Sequence, residues 1–227
     1  MKIAGLQKMT LLDFPGKVAC TVFLDGCNFR CPFCHNASLV RGEGENISEE
    51  EFFKFLRKRE GILDGVAITG GEPLLQRDIV DFIKKIKELD YEVKLDTNGS
   101  FPEKLKALVA EGLIDYVAMD IKSSPEGYSR AAGCNIDTEK IKESVDFLLS
   151  GAVDYEVRTT VAKGVVLPED MEGIGQLIKG AKRYFLQGFV DSGDILGEGV
   201  GPYSKEEMES MLEAVKKYIP SAELRGM

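Results

Sequence analysis

The stretch "KVACTVFLDGCNFRCPFCHN" (17–36) joins an apolar segment to a loop crowded with thiols. Its first part, 17–26, is a continuous run rich in β-branched side chains, which is typical of a strand buried on both faces in a parallel sheet. The part from Gly26 onward carries three of the five cysteines and the only histidine. The stretch therefore predicts an α/β fold with a functional loop at the carboxyl end of a buried strand.

Outward from this stretch, strand-like and helix-like segments alternate along the chain. Further strands are predicted at 65–71, 91–99, 114–122, 154–164 and 182–190. Amphipathic helices are predicted at 48–61, 76–90, 102–112, 137–151, 167–181 and 204–219. Ser48 and Glu51 form a capping-box pattern at the start of the first helix. Such alternation indicates βαβ units and a parallel sheet, either an open doubly wound sheet or a partly closed barrel.

The composition fits one globular domain. The 227 residues are 44% hydrophobic and 30% charged, enough for a single core. We predict one domain over 1–227, with an N-terminal extension at 1–16 and a flexible loop at 191–204. No secretory signal or membrane-spanning run is recognised, so we expect a cytoplasmic protein with no membrane partner. The formal net charge is −9 without a basic stripe, which argues against nucleic acid as a partner.

Polar residues and glycines follow each predicted strand, at the edge where ligands gather in parallel α/β folds. The later strands end in or carry "TGGEP" (69–73), "DTNG" (96–99), "MDIK" (119–122), Arg158 with Thr160, and Gln187. One such ending is ordinary turn chemistry. A full set of them predicts a single ligand site.

The spacing of Cys27, Cys31 and Cys34 suits three thiolates around one compact centre. Structural zinc sites and [4Fe–4S] clusters both normally take four protein ligands. Three cysteines leave one position for an outside ligand. His35 is a candidate fourth ligand for zinc, but it directly follows Cys34, so both side chains would have difficulty reaching the same ion. The two remaining cysteines are predicted to be a buried apolar side chain, Cys20, and a free loop thiol, Cys134.

The cysteine loop resembles that of the radical S-adenosylmethionine (SAM) enzymes, whose hallmark is CxxxCxxC. Phe33 before the third cysteine and "GGE" (70–72) after the second strand strengthen the resemblance. The motifs that narrow it to activating enzymes of glycyl-radical proteins are "DFPGK" (13–17), "CHN" (34–36), "DTNG" (96–99) and "DIK" (120–122). Residues 5–36 are most similar to activating proteins of anaerobic ribonucleoside-triphosphate reductase. The resemblance implies an incomplete (β/α)6 TIM-type barrel of parallel strands with outer helices.

The same resemblance implies roles for individual residues. Cys27, Cys31 and Cys34 would be the catalytic metal ligands that hold a [4Fe–4S] cluster, and SAM would chelate the fourth iron. The residues expected around SAM are Phe33 and His35 near the adenine, Gly70 and Gly71 near the methionine part, and Glu72, Asp96, Asn98, Asp120, Lys122, Arg158 and Gln187. Lys122 suits the SAM carboxylate, and Gln187 stands where some activators carry histidine. The positions that match a monovalent cation site in a related activator are Asp96, Thr97, Met119 and Asp120.

The resemblance implies an enzyme that cleaves SAM reductively and generates a glycyl radical on a partner enzyme, which we expect to be anaerobic ribonucleoside-triphosphate reductase. A flavodoxin or ferredoxin is the implied electron donor. Three alternatives stay open: a partner of the pyruvate formate-lyase type, a small heterocycle as substrate, and a zinc-binding module that is not an enzyme.

Overall fold

The computed structural model describes residues 1–191 and 193–226, and its strands follow chain order in one open sheet. The strands are β1 (Ile3–Thr10), β2 (Ala19–Leu24), β3 (Gly65–Gly70), β4 (Glu92–Thr97), β5 (Tyr116–Asp120), β6 (Asp154–Val161), β7 (Tyr184–Gly188) and β8 (Glu223–Arg225). The helices are α1 (Ala37–Arg41), α2 (Glu49–Arg57), α3 (Ile79–Lys87), α4 (Pro102–Ala110), α5 (Tyr128–Ala132), α6 (Thr138–Leu149), α7 (Asp170–Leu177) and α8 (Lys205–Lys216). Ser192, within the loop predicted at 191–204, and Met227, the last residue of the predicted domain, lie outside the described residues.

All six predicted strands and all six predicted helices are present, as β2–β7 and as α2–α4 with α6–α8. The capping box at the start of α2 is confirmed, because Ser48 and Glu51 bond each other's backbone amides. The segment 1–16, predicted as an extension, instead contains β1, which pairs antiparallel with β2. The pairs β2–β3, β3–β4, β6–β7 and β7–β8 are parallel, as predicted. No helix among the described residues is both long enough and apolar enough to span a bilayer.

The chain divides into two compact units. Unit 1 comprises Met1–Asn28, Ser38–Thr97 and Glu103–Val117, and unit 2 comprises Phe29–Ala37, Asn98–Pro102 and Ala118–Met227. Cys27 belongs to unit 1, and Cys31 and Cys34 belong to unit 2.

The strands of unit 1 have two different faces. One face carries Cys20, Val22, Val66, Ile68, Val93 and Leu95, all completely buried. The other face places Thr21, Ala67 and Lys94 in one row across β2, β3 and β4. The apolar face provides most of the hydrophobic stabilisation, since each such side chain contributes about 1.5–3 kcal/mol when buried. The second face carries the polar groups.

The "DFPGK" motif (13–17) lies at the amino end of the unit 1 strands. Phe14 is 2% exposed and packs with Ala19 and Tyr116, its ring centroid 6.1 Å from that of Tyr116. A Cβ on Gly65 would lie 2.8 Å from the Phe14 ring, so the glycine makes room for it. The motif therefore closes the amino end of these strands with an apolar cluster.

Candidate active site

The cysteine loop follows β2 without a helix or strand of its own until α1. Cys31 is 7% exposed, while Cys27 and Cys34 are half-buried. The Cys34 amide donates to the Cys31 carbonyl at 3.0 Å, which bends the chain between these two thiols. None of the five cysteines, all within the described residues, is in a disulfide. The three loop thiols therefore remain available as ligands.

The other two cysteines stand apart from the loop by their environments. Cys20 is completely buried in β2, and burial raises the pKa of its thiol to about 12. Cys134 follows α5, and its thiol lies 3.6 Å from the Ala132 carbonyl oxygen. A thiol with so high a pKa is a poor thiolate ligand, which agrees with the prediction that Cys20 serves as a small apolar side chain.

In unit 1, Gly70 and Gly71 contact the backbone that leads into the cysteine loop. The Gly71 amide donates to the Leu24 carbonyl at 2.9 Å. A Cβ on Gly71 would lie 2.5 Å from the Gly26 carbonyl carbon, closer than real Cβ atoms come. Gly70 has a φ of +113°, which favours glycine. At both glycines the geometry requires room for neighbouring backbone, and the close approach of the methionine part of SAM stays a prediction.

Glu72 is completely buried directly after these glycines. Its Oε1 accepts from the Leu74 amide at 3.0 Å and from the Thr97 hydroxyl at 2.9 Å. Its own amide donates to the Gly26 carbonyl at 2.9 Å. These bonds order the chain after β3, and the expected contact of Glu72 with SAM stays a prediction.

At the end of β4, the Asp96 carboxylate forms an ion pair with Lys94. The Lys94 side chain is 2% exposed and that of Asp96 is 17% exposed. Both lie on the polar face of the unit 1 strands, because side chains two residues apart point to the same side of a strand. The sequence interpretation included Asp96 and missed Lys94.

In unit 2, two other segments form backbone hydrogen bonds with the cysteine loop. The Arg30 amide donates to the Ala132 carbonyl at 2.8 Å, and the Gly197 amide donates to the Pro32 carbonyl at 2.8 Å. A Cβ on Gly197 would lie 2.6 Å from the Pro32 Cβ. The described part of the 191–204 loop is thus in contact with the cysteine loop, which the sequence did not predict.

Asp120, Lys122 and Arg158 form one ion-pair cluster in unit 2. Arg158 Nε lies 2.9 Å from Asp120 Oδ1, and Lys122 Nζ lies 3.2 Å from Asp120 Oδ2. The structure therefore brings together three of the residues that the sequence singled out. Two cations against one carboxylate leave the cluster with a net positive charge, which suits an anionic ligand group.

The titration behaviour of this cluster follows from its charges. Burial alone would raise the pKa of Asp120, but the charges of Arg158 and Lys122 hold it well below its usual range. Burial alone would lower the pKa of Lys122, but Asp120 and the nearby Cys31 and Cys34 hold it well above its usual range. Lys122 thus stays an ammonium group within electrostatic reach of two of the loop thiols.

Further charges that the sequence did not reveal extend the cluster along the same face. Glu156, whose side chain is 3% exposed, lies 3.8 Å from Arg158 and 3.1 Å from Arg225. Strand register places Gln187 beside Arg225, and the Arg225 guanidinium lies over the Phe185 ring at 3.5 Å. Gln187 is therefore on the face that carries the ion pairs, while its contact with adenine stays a prediction.

The remaining predicted residues are all in unit 2. Phe33 is 3% exposed, and the His35 side chain is exposed. Asn98 is buried, and its Oδ1 accepts from the Ser100 amide at 3.0 Å and hydroxyl at 2.6 Å, which orders the turn after β4. Nothing in these contacts tests their predicted roles toward SAM.

Within residues 1–191 and 193–226, no three His, Cys, Asp or Glu side chains are grouped as ligands of a single metal ion. A zinc site would need such a group around one ion. A [4Fe–4S] cluster differs, because each cysteine binds a different iron of the cube. A structural zinc site is closed by four protein ligands, so a set of three cysteines on one loop fits a cluster with one open iron better than it fits zinc.

Comparison with known proteins identifies relatives of the whole chain. Residues 21–179 match the model of the Radical SAM superfamily. A protein of Methanocaldococcus jannaschii, named as a candidate glycyl-radical enzyme activating enzyme, is 34% identical over 234 residues that cover 98% of this chain and 95% of the relative. The pyruvate formate-lyase-activating enzyme of Clostridium pasteurianum is 30% identical over 189 residues, covering 78% of this chain and 74% of that enzyme.

A solved structure shares the fold. The crystal structure of a domain of pyruvate-formate lyase-activating enzyme from Bacteroides vulgatus superposes with a TM-score of 0.57 at 17% identity. The superposition covers 71% of this chain and 99% of that domain. At this level of identity the likeness concerns the fold, the partial TIM barrel of parallel strands that the sequence predicted.

Proposed function

Since the chain belongs to the radical SAM superfamily, we propose that it is an activating enzyme that generates a glycyl radical on a partner protein. The observation that carries this proposal is the likeness to the Methanocaldococcus jannaschii protein, which covers 98% of this chain. It therefore extends well beyond the cysteine loop shared by the superfamily and includes "DFPGK" (13–17). The likeness to a pyruvate formate-lyase-activating enzyme also supports an activating enzyme of a glycyl-radical protein.

The cofactors of the superfamily are a [4Fe–4S] cluster and SAM, and the residues present fit both. Cys27, Cys31 and Cys34 supply three thiolates on one loop, and a cube with four irons then has one iron for an outside ligand. The ammonium of Lys122 lies near Cys31 and Cys34, and a positive charge favours the thiolate forms that bind iron. When bound, the cluster and SAM supply a 5′-deoxyadenosyl radical after one electron has been delivered.

The chain's own residues would bind and orient SAM. Lys122 and Arg158 would attract its carboxylate, because their cluster with Asp120 carries a net positive charge. Gly71 and Glu72 would fix the carboxyl end of β3 against the cysteine loop, through the bonds to Leu24 and Gly26. The buried faces around them would exclude water and competing hydrogen donors. A glycine of the partner suits hydrogen abstraction at its Cα because it has no side chain to obstruct the approach.

For the partner, we propose anaerobic ribonucleoside-triphosphate reductase, on the similarity of residues 5–36 to its activating proteins. A glycyl-radical enzyme of the pyruvate formate-lyase type is an equally consistent partner, because a pyruvate formate-lyase-activating enzyme is among the relatives. We propose a flavodoxin or a ferredoxin in the cytoplasm as the source of the electron.

The test is electron paramagnetic resonance on anaerobically reconstituted protein mixed with SAM, a low-potential reductant and each candidate partner in turn. A glycine-centred doublet with one partner supports the proposal and identifies that partner. The Cys31→Ala variant is the matched control and should give no doublet. Cleavage of SAM without a doublet on either type of partner would contradict the proposal and favour a small-molecule substrate. Colourless protein without SAM cleavage would favour the zinc-binding module.

A further inference from the structure

Lys94 is a buried lysine at the centre of β4. Its side chain is 2% exposed, although lysine is almost never fully buried unless it is paired. Strand register places the small side chain of Ala67 beside it on β3, which leaves room for its stem. Its ammonium group forms an ion pair with Asp96, two residues along the same strand. The pair therefore supplies Asp96 with a cation that is part of the chain.

Asp96 is one of the two carboxylates at which the family resemblance implies a monovalent cation. A carboxylate that already binds an ammonium group gains much less from a further cation, since like charges repel at short range. Asp96, the expected cation ligand in unit 1 that carries a charge, thus fits an exogenous cation poorly.

The second carboxylate, Asp120 in unit 2, is neutralised independently of Lys94. Lys122 and Arg158 each bond one of its two oxygens, at 3.2 Å and 2.9 Å. Each of the two carboxylates expected to bind a monovalent cation is therefore paired with lysine or arginine side chains of its own unit.

We infer that the Lys94 ammonium takes the place of an exogenous monovalent cation, so that this chain binds SAM without Na⁺ or K⁺. An ammonium group and K⁺ have the same charge, and both bind carboxylate oxygens. Lys94 differs in being tethered, so no ion has to be bound from solution before Asp96 is neutralised. The inference depends on SAM binding by the superfamily and is independent of the partner protein.

The experiment measures SAM affinity of the reconstituted holoenzyme at constant ionic strength, with either K⁺ or tetramethylammonium as the only salt cation. The wild-type affinity should agree within about twofold between the two salts. In tetramethylammonium, Lys94→Met should bind SAM at least about tenfold more weakly, a loss typical of a bond to a charged group. K⁺ should restore it in a saturable way. The double variant Lys94→Met/Asp96→Asn should respond to neither salt, because it lacks the carboxylate that needs a cation.

A second readout does not depend on SAM or on turnover. Thallium NMR with Tl⁺ as a probe for K⁺ should show saturable binding to Lys94→Met and none at this site in the wild type. Lys140→Met, an exposed lysine of α6, is the matched control and should behave as the wild type in both assays. Lys94→Arg keeps the charge and should also stay independent of K⁺.

Two results would overturn the inference. One is a saturable K⁺ or Na⁺ requirement of the wild type that coincides with Tl⁺ binding. The other is a folded Lys94→Met variant that binds SAM equally weakly in both salts, since Lys94 would then act only by packing. If Lys94→Met does not fold, the wild-type salt comparison and its Tl⁺ titration still decide between the two possibilities.

Discussion

Replacing Gly71 by alanine should damage the cysteine loop, although Gly71 is itself not a ligand. The new Cβ would lie 2.5 Å from the Gly26 carbonyl carbon and nearer still to its oxygen. Real Cβ atoms essentially never come closer than 3.0 Å, so this carbonyl would have to move by at least 0.5 Å. The next residue after Gly26 is Cys27, so the displacement directly reaches a residue that we propose as a cluster ligand.

The energetic cost follows from two contributions. Forcing a methyl group into a well-packed site typically costs about 1–3 kcal/mol. Moving the Gly26 carbonyl also strains its bond from the Glu72 amide and the neighbouring bond from Gly71 to Leu24, now 2.9 Å each. A net hydrogen bond contributes about 0.5–1.5 kcal/mol, so we expect a free energy of unfolding lower by about 2–4 kcal/mol. Iron uptake should fall together with stability.

The assay is iron and sulfide content per chain after anaerobic reconstitution, combined with urea unfolding of the apoprotein. Gly201→Ala is the matched control, because a Cβ there meets nothing within 4 Å and its φ is not positive. It should keep wild-type iron content and stability. Wild-type values for Gly71→Ala would refute the reasoning, since the contact between these backbones would then not determine the loop.

The remaining predictions concern the thiols and the ion-pair cluster. We expect loss of the cluster, measured as iron content and visible absorbance, in each of the variants Cys27→Ala, Cys31→Ala and Cys34→Ala. The variants Cys20→Ala and Cys134→Ala should retain the cluster. Loss of the cluster in either of these two would mean that a ligand is misassigned. Lys122→Met should retain iron but bind SAM at least about tenfold more weakly, as expected for the loss of a charged hydrogen bond. The control is Lys142→Met, which changes an exposed lysine. Unchanged SAM affinity of Lys122→Met would exclude the proposed role of Lys122 in binding the SAM carboxylate. Asp120 has a depressed pKa in the folded state, so its ion pairs stabilise the protein above the unfolded-state value of about 3.9 and less as the pH falls below it. Urea unfolding between pH 5 and pH 3 should therefore show a shallower loss of stability in Asp120→Asn than in the wild type, and equal slopes would contradict the assignment.

The fold was largely predictable because its signal is local. The strands β2, β3 and β5 are largely apolar, and β4 and β6 alternate polar or charged residues with apolar ones along much of their length. Each long helix has a 3.6-residue period with caps such as Ser48. β1 has neither signal, since its sequence "IAGLQKMT" mixes small, polar and apolar side chains. It is a strand because β2 offers an edge for antiparallel pairing, and that information lies elsewhere in the chain.

The site was predictable where it lies at strand ends and not where it lies within strands. Asp120 ends β5 and Lys122 follows it, a position where turn and ligand residues are expected. Lys94 and Glu156 lie inside β4 and β6, where a charged residue between apolar neighbours normally indicates a solvent-facing side of the strand. Their burial depends on partners from other positions, such as Arg225 for Glu156. Such pairing is visible only once the strands are assembled.

The cysteine loop explains why glycines accompany the thiols. Residues 26–36 form no helix or strand, so no ladder of backbone bonds fixes their conformation. The loop is instead bonded to separate segments at three positions, Gly26 to Glu72, Arg30 to Ala132 and Pro32 to Gly197. At these contacts the segments approach so closely that a Cβ on Gly71, Gly133 or Gly197 would collide with the loop. Within each unit, these contacts fix the backbone beside the thiols before iron arrives, which lowers the ordering cost of cluster binding. Glycines that are distant in sequence from the cysteines should therefore affect cluster uptake as directly as the residues between the cysteines do.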